Sequence, residues 1–312
     1  MTYDQLVRFV GLVMLALVPY ILASQGTMLA GRTGVFNVAQ EGIMLLGASA
    51  GFLAAYLMGN LVYGLIVAGI AGAFFSLVIA FFTTRLKMDQ FVIGLAVFFL
   101  CLGLANLLYK VVVGVTLTPP IIPTFGSVAI PGLAAIPLIG PALFDQNVLV
   151  YFSVVVSALL YVFLYRTPWG LELRSVGENP MAADSLGVNV AGYRYWTSAI
   201  GGALMGLAGA YLPMVYTGAY TQGIVHGRGW LAIALTFFGG WKPQYIFLGS
   251  LFFAGVDVLA LQVQVGGIHV AHQALRTLPY LATMLVMVLA SRGSGQPAFL
   301  GLNYDRESRT GT

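Results

Sequence analysis

Of the ten acidic residues in this 312-residue chain, Glu41 and Asp257 stand inside or at the edge of long apolar runs. An ionised carboxylate in hydrocarbon costs about 3 kcal/mol or more, so each must face a partner or a wet cavity. That leaves contact with a polar solute, coupling to an ion gradient, or a structural ion pair. Asn37, four residues before Glu41, both donates and accepts hydrogen bonds, which suits contact with a polar solute. It equally suits bracing a broken helix, as does Glu41, because Gly34 and Gly42 lie close by. Asp257 can touch a solute, or bond to Gln262 a turn or so further along or to a residue of another helix. Asn106 has similar surroundings and fits a helix–helix hydrogen bond.

Two aromatics flank the chain breaks that these residues suggest, Phe36 and Trp230. A flat aromatic solute can stack between two such rings, whereas a non-aromatic one would use one ring face and several hydrogen bonds. Either ring can equally serve packing. His226, His269 and His272 fit interfacial polar positions better than a metal site. Cys101 is the only cysteine, lies in an apolar run and reads as a small buried hydrophobe. No Ser/His/Asp set, paired catalytic carboxylates or metal-ligand spacing appears, so enzymatic chemistry finds no support. A Gly-x-x-x-x-Gly-Lys-Ser/Thr phosphate loop is also missing from the sequence.

Composition fixes the solvent. Hydrophobic residues make up 59% of the chain and charged residues 8%, against roughly 25% charged in a soluble domain. Lipid must cover much of the exterior, and the 39 glycines fit close helix packing. The net charge of +4 is spread over loops, which signals membrane orientation and not nucleic acid. Runs of spanning length are Leu6–Ser24, Glu41–Met58, Leu61–Thr83, Phe91–Lys110, Asn147–Tyr165, Tyr193–Tyr216, Tyr245–Gln264 and Leu275–Ser291. The first of these is read as a span and not as a signal peptide. Trp230–Gly240 is too short to cross straight and reads as a broken or re-entrant element. The fold class is therefore all-α, a polytopic membrane bundle of about eight to ten helices.

Ten basic residues fall on the cytoplasmic side if the loops at Thr84–Gln90 and Arg166–Arg194 are inside, and four fall outside. The positive-inside tendency selects this frame, which puts the C-terminus in the cytoplasm and the N-terminus outside. Loop 111–146 has no Lys or Arg and six prolines, and reads as an external loop of extended pieces and short helices. Residues 1–294 form the transmembrane domain, and 295–312 a cytoplasmic tail whose end, Thr310–Thr312 and the polar residues before it, reads as solvated and frayed.

Segment 166–194 is the one large polar loop. Its spacing predicts a short helix: Asn179 as N-cap, Pro180 at the first helical position, Met181–Leu186 in the helix and Gly187 left-handed behind it. So brief a helix needs a packing partner, and Met181 and Leu186 offer an apolar tip for a cleft on another protein. An ordinary capped connector would carry the same signals.

The stretch GENPMAADSLGVNV, Gly177–Val190, resembles the cytoplasmic coupling segment of ABC-importer permeases of the branched-chain amino acid/ribose-type superfamily. GRTGVFNVAQEGIMLLGASAGF (Gly31–Phe52), MDQFVIGLA (Met88–Ala96) and GRGWLAIALTFFGGWKPQYIFLGSLFFAGVDVLALQ (Gly227–Gln262) are similar to that superfamily's nucleoside/simple-sugar branch, in matching order. The chain departs from the family pattern at Phe98, where Asn is common, at Gln40 for Gly and at Lys242 for Asn.

The resemblance implies a channel-forming subunit of an importer for nucleosides or related small solutes. Gly177, Glu178, Asn179, Pro180, Met181, Ala182, Ala183, Leu186 and Gly187 would seat in the ATPase, with Phe36, Asn37, Glu41, Asn106, Trp230, Asp257 and Gln262 as candidates along the solute path. Implied partners are an ATPase subunit holding ATP and Mg, a second permease, identical or homologous, an external substrate-binding protein and the lipid bilayer. No cofactor is implied in this chain, and the location is the plasma (inner) membrane of a bacterium or archaeon. Sugars, branched-chain amino acids or a vitamin are rival cargoes. An ion-coupled secondary transporter using Glu41 or Asp257 explains the buried acids, but not the coupling segment.

Overall fold

A computed structural model describes residues 3–114, 118–134, 136, 139–265, 281 and 295–305. In chain order the elements are α1 (Tyr3–Gly31), α2 (Gln40–Met58), α3 (Leu61–Thr84), α4 (Gln90–Val113), β1 (Ser127–Ala129), α5 (Ile139–Leu143) and β2 (Asp145–Asn147). There follow α6 (Val148–Arg166), α7 (Pro168–Glu178), α8 (Pro180–Ser185), α9 (Val190–Tyr211) with a π-helical turn at Leu212–Thr217, α10 (Arg228–Phe238) and α11 (Pro243–Val265). Seven of these helices are long and apolar enough to cross a membrane: α1, α2, α3, α4, α6, α9 with its π turn, and α11. Each coincides with a run read from the sequence. Apart from Leu281, the expected span Leu275–Ser291 lies outside the described residues, as do His269, His272, and 306–312, where the frayed tail is expected.

Side-chain caps mark where the helices start. Asn60, Asp89, Asn147, Thr167, Asn179 and Asn189 each accept a hydrogen bond from an amide in the first turn of α3, α4, α6, α7, α8 and α9. Pro213 interrupts the normal ladder at the end of α9, where the chain widens into the π turn.

The bundle is organised around α9, which packs against α1, α2 and α3. Gly201, Gly202, Gly206 and Gly209 of α9 lie against the backbones of those neighbours, at Gly26, Gly72, Ala68 and Met44. Such approaches replace the hydrophobic drive that lipid removes with direct van der Waals contact. One end of the bundle carries the antiparallel pair β1–β2, with Val128 opposite Gln146, within the proline-rich loop. That loop is tied to the end of α9 by the Ile122 amide donating to Gly218 O and the Phe125 amide to Met214 O. The opposite end carries α7 and α8.

Two irregular segments interrupt the bundle. Residues 32–39 join α1 to α2 without helical structure, and 218–227 lead into α10. Helix α10 has 11 residues, so at 1.5 Å per residue it spans roughly 16 Å of an approximately 30 Å core. This is the broken element expected around Trp230.

Candidate functional site

The two irregular segments meet at Glu41. Gly227 closes the approach to α10 in a left-handed conformation (φ 78°), and no side chain of its own segment caps the helix. The cap comes from α2 instead: Glu41 Oε1 accepts from the Gly227 amide at 2.8 Å, and Oε2 from the Gly229 amide at 2.7 Å. A carboxylate there satisfies free amides and complements the positive end of the helix dipole. Glycine at 229 is required by closeness, because a Cβ would lie 2.6 Å from the Glu41 Cα. Glu41 is thus a brace across two elements 188 residues apart.

Arg228, between those glycines, donates to Asp257 Oδ2 at 3.3 Å, and Tyr20 OH donates to the same oxygen at 3.2 Å. Asp257 therefore bonds to α10 and α1. The partner anticipated on its own helix, Gln262, is half-buried further along α11 and takes no part in this triad. A carboxylate in an apolar span is best stabilised by a cation and a donor together, and Arg228 and Tyr20 supply both.

Segment 32–39 is stitched by side chains from several helices. The Phe36 amide donates to Gln90 Oε1 at 2.7 Å, Arg194 Nε donates to Thr33 O at 3.1 Å, and Thr33 Oγ1 pairs with Thr197 Oγ1 at 2.8 Å. Irregular backbone at membrane depth is stable only when its polar groups are met in this way. Asn37 is buried; its Nδ2 donates to Ser76 Oγ at 3.2 Å while its Oδ1 accepts from the Ala39 amide at 2.9 Å. Both ends of its amide are committed to internal partners in this conformation. Thr27 Oγ1 also donates to Gln40 Oε1.

Phe36 and Trp230 do not form a shared slot. Phe36 packs edge-on against Phe237, and Trp230 against Phe98 at a centroid distance of 5.6 Å. Positions 230 and 237 on α10 are seven residues apart, about 10 Å along a helix, so one base cannot bridge them. Trp230 is 40% exposed and sits beside Glu41 at the chain breaks. Asn106 is half-buried in α4, with a buried Oδ1 lacking a hydrogen-bond partner. His226 is exposed (φ 50°) in the approach to α10, and no metal-binding group occurs among the described residues. A cavity of about 550 Å³ at the α7 end is lined by Leu29, Phe163, Trp169, Leu173, Tyr193 and Trp196; none of Glu41, Trp230 or Asp257 belongs to it.

At that end, α7 and α8 form a bent pair. Asn179 caps α8 through the Ala182 amide at 3.0 Å, Pro180 opens it, and Gly187 leaves it at φ 85°. Ala183 is buried with Val176 and Val190, whereas Leu186 is 84% and Met181 41% exposed. The Gly177 backbone lies directly on Arg32 O, and Arg32 Nε donates to Trp241 O at 2.8 Å. Arg32 also reaches Glu178 at 3.9 Å, and burial pulls its guanidinium below the ordinary pKa. Helix α7 was not foreseen, although Thr167 followed by Pro168 is an N-cap and first-turn signal. The stitching roles of Gln90 and Arg194 left no local signature.

The family model described as "Branched-chain amino acid transport system / permease component" matches residues 9–290. The chain belongs to that permease family. Across almost its whole length the permease is similar to curated relatives. It is 32% identical to a guanosine ABC transporter permease protein of Bacillus subtilis, covering 93% of this chain and 94% of that one. It is 33% identical to a nucleoside ABC transporter permease protein of Lactococcus lactis, covering 92% and 93%. A glucose ABC transporter permease protein of Haloferax volcanii is 28% identical over 81% of this permease and 69% of that protein. The permease is accordingly a multi-pass membrane subunit of a transport system.

Proposed function

We propose that this permease is the channel-forming subunit of an ABC importer that moves nucleosides or related small polar solutes, with energy from a separate ATPase. The observation that carries the reading is the capped helix α8, fixed at both ends yet presenting Leu186, 84% exposed, outward from the bundle. An apolar tip on a helix of six residues fits insertion into a partner's cleft. ATP and Mg belong to that ATPase. In this reading the α7–α8 end faces the cytoplasm of a bacterial or archaeal cell, and 295–305 lie on the same side. A second permease subunit completes the channel, and an external binding protein delivers cargo to the β1–β2 end.

Closure of the ATPase pushes α8, and the rigid contacts of α7 with Arg32 carry that push to segment 32–39. This segment and the start of α10 are the points where helices already break, so they are natural hinges for alternating access. Trp230, with the half-buried Phe98 packed edge-on against it, offers exposed aromatic surface near the breaks, a platform for a base face. Glu41 and the Arg228–Asp257 pair hold that platform in place and do not carry protons. The kinship with guanosine and nucleoside permeases supports this cargo class.

Vesicles holding the permease, its ATPase and the binding protein test the cargo. Labelled guanosine should accumulate with ATP and not with ADP. Accumulation of glucose but not guanosine would transfer the same machinery to sugars.

A further inference from the structure

The segment 297–305, which composition marks only as a polar tail, is strapped across the α7–α8 end by bonds to α7, α8, α4, α9, segment 32–39 and the α3–α4 turn. The Phe299 amide donates to Gly177 O at 2.9 Å, and the Ala298 amide to Glu178 Oε2 at 3.3 Å, so the strap begins on the end of α7. The Gly301 amide then donates to Gly34 O at 3.1 Å, inside the irregular segment between α1 and α2. Leu302 O accepts from Arg194 Nη2 at 3.2 Å and from Gln90 Nε2 at 3.4 Å. Asn303 Nδ2 donates to Lys87 O at 2.6 Å and to Met88 O at 3.1 Å, in the turn between α3 and α4. Lys87 Nζ also pairs with Asp305 at 2.6 Å. Tyr304 OH finally returns to α8, donating to Asp184 Oδ2 at 2.9 Å, and its ring packs on Val176, Ala183 and Val190.

We infer that residues 297–305 are a tie that transmits displacement of the coupling pair α7–α8 to the re-entrant segment 32–39 and the α3–α4 turn, with Tyr304 as the positioning residue for α8. Helix α8 is too short to hold a fixed orientation by itself. Its buried anchors include Pro180 and Ala183, and Tyr304 adds a directional bond from outside its own segment of chain. The same strap supplies a carbonyl to Arg194, which is fully buried and would otherwise lose one of its acceptors. One continuous peptide thus touches both the part that a partner would push and the part that would open.

This inference rests on the proposed importer function, and the test separates the two. The permease–ATPase complex is reconstituted with the binding protein, and bound ATPase, ATP turnover and labelled nucleoside moved per ATP are measured. Tyr304→Phe removes only the hydroxyl, and Asp184→Ala removes its acceptor. Each should lower uptake per ATP about ten-fold, the scale of one hydrogen bond to a charged group, with bound ATPase essentially unchanged. Asp184→Asn retains an acceptor oxygen and should stay near wild type. Wild-type uptake per ATP in both Tyr304→Phe and Asp184→Ala would overturn the tie, as would a loss that merely tracks reduced ATPase binding. Wild-type permease that binds no ATPase would overturn the importer reading, and the tie with it.

Discussion

Glu41 Oε2 accepts a 2.7 Å hydrogen bond from the Gly229 amide, and this contact makes one unit of two motifs at opposite ends of the chain. Glu41→Ala leaves two amides of α10 without an acceptor. It should lower stability by about 2 kcal/mol or more, since an unmet buried donor costs about 1–3 kcal/mol. Glu41→Gln, which keeps one acceptor oxygen, should lose less. Gly229→Ala should be at least as damaging as Glu41→Ala, because its Cβ would meet the Glu41 backbone. Thermal unfolding in detergent checks the order; a Gly229→Ala protein as stable as wild type would remove the close approach from the account.

The Arg228–Asp257 pair yields a double-mutant cycle. Removing either partner alone strands a partly buried charge, and each of Arg228→Met and Asp257→Leu should cost about 3 kcal/mol. The double variant should be distinctly less destabilised than the sum of the two. Additive losses would mean that the pair does not act as a structural unit. Asp257 is then free to be examined as a cargo or coupling group.

Leu186→Asp places a charge on an exposed apolar tip. The fold should be unaffected, within about 0.5 kcal/mol as for other surface substitutions. Co-purification of the ATPase should fall about ten-fold or more, the effect of losing a central apolar anchor. Equal recovery of ATPase by wild type and variant would sink the assignment of α8 as the docking helix.

Trp230→Ala tests the aromatic platform. Loss of the edge contact with Phe98 should lower stability by about 1 kcal/mol, whereas KM for a nucleoside should rise about ten-fold, from the loss of about 1–3 kcal/mol of stacking. An unchanged KM would leave Trp230 as a packing partner of Phe98 alone.

The spanning helices and the short helix α8 were legible because their signals are local. Apolar runs gave the described spans to within a few residues, except α1, which continues seven residues past Ser24 to Gly31, and Asn179, Pro180 and Gly187 marked α8 by cap chemistry that operates within a single turn. The pairing of Glu41 with Gly227 and Gly229 was not legible, since nothing in either segment encodes what lies 188 residues away. The same applies to Asp257, whose partners come from α1 and α10, while Gln262 had only nearness in sequence to recommend it. Phe36 and Trp230 looked like a matched pair because each borders a break. Their separation along α10 follows from which helix each break joins, and that is a tertiary fact. The strap at 297–305 stayed hidden for a further reason: six of its nine residues bond to the rest of the bundle through the backbone or through short polar side chains, which composition reads as solvated tail.

The most direct test of the account is nucleoside uptake by cells expressing the permease with its neighbouring transport subunits, compared with cells whose ATPase subunit is inactivated. The account predicts labelled nucleoside uptake that disappears on ATPase inactivation and survives collapse of the ion gradient while ATP is maintained. Uptake that persists with the inactive ATPase and collapses with the gradient would contradict it, and would return Glu41 and Asp257 to the role of coupling carboxylates.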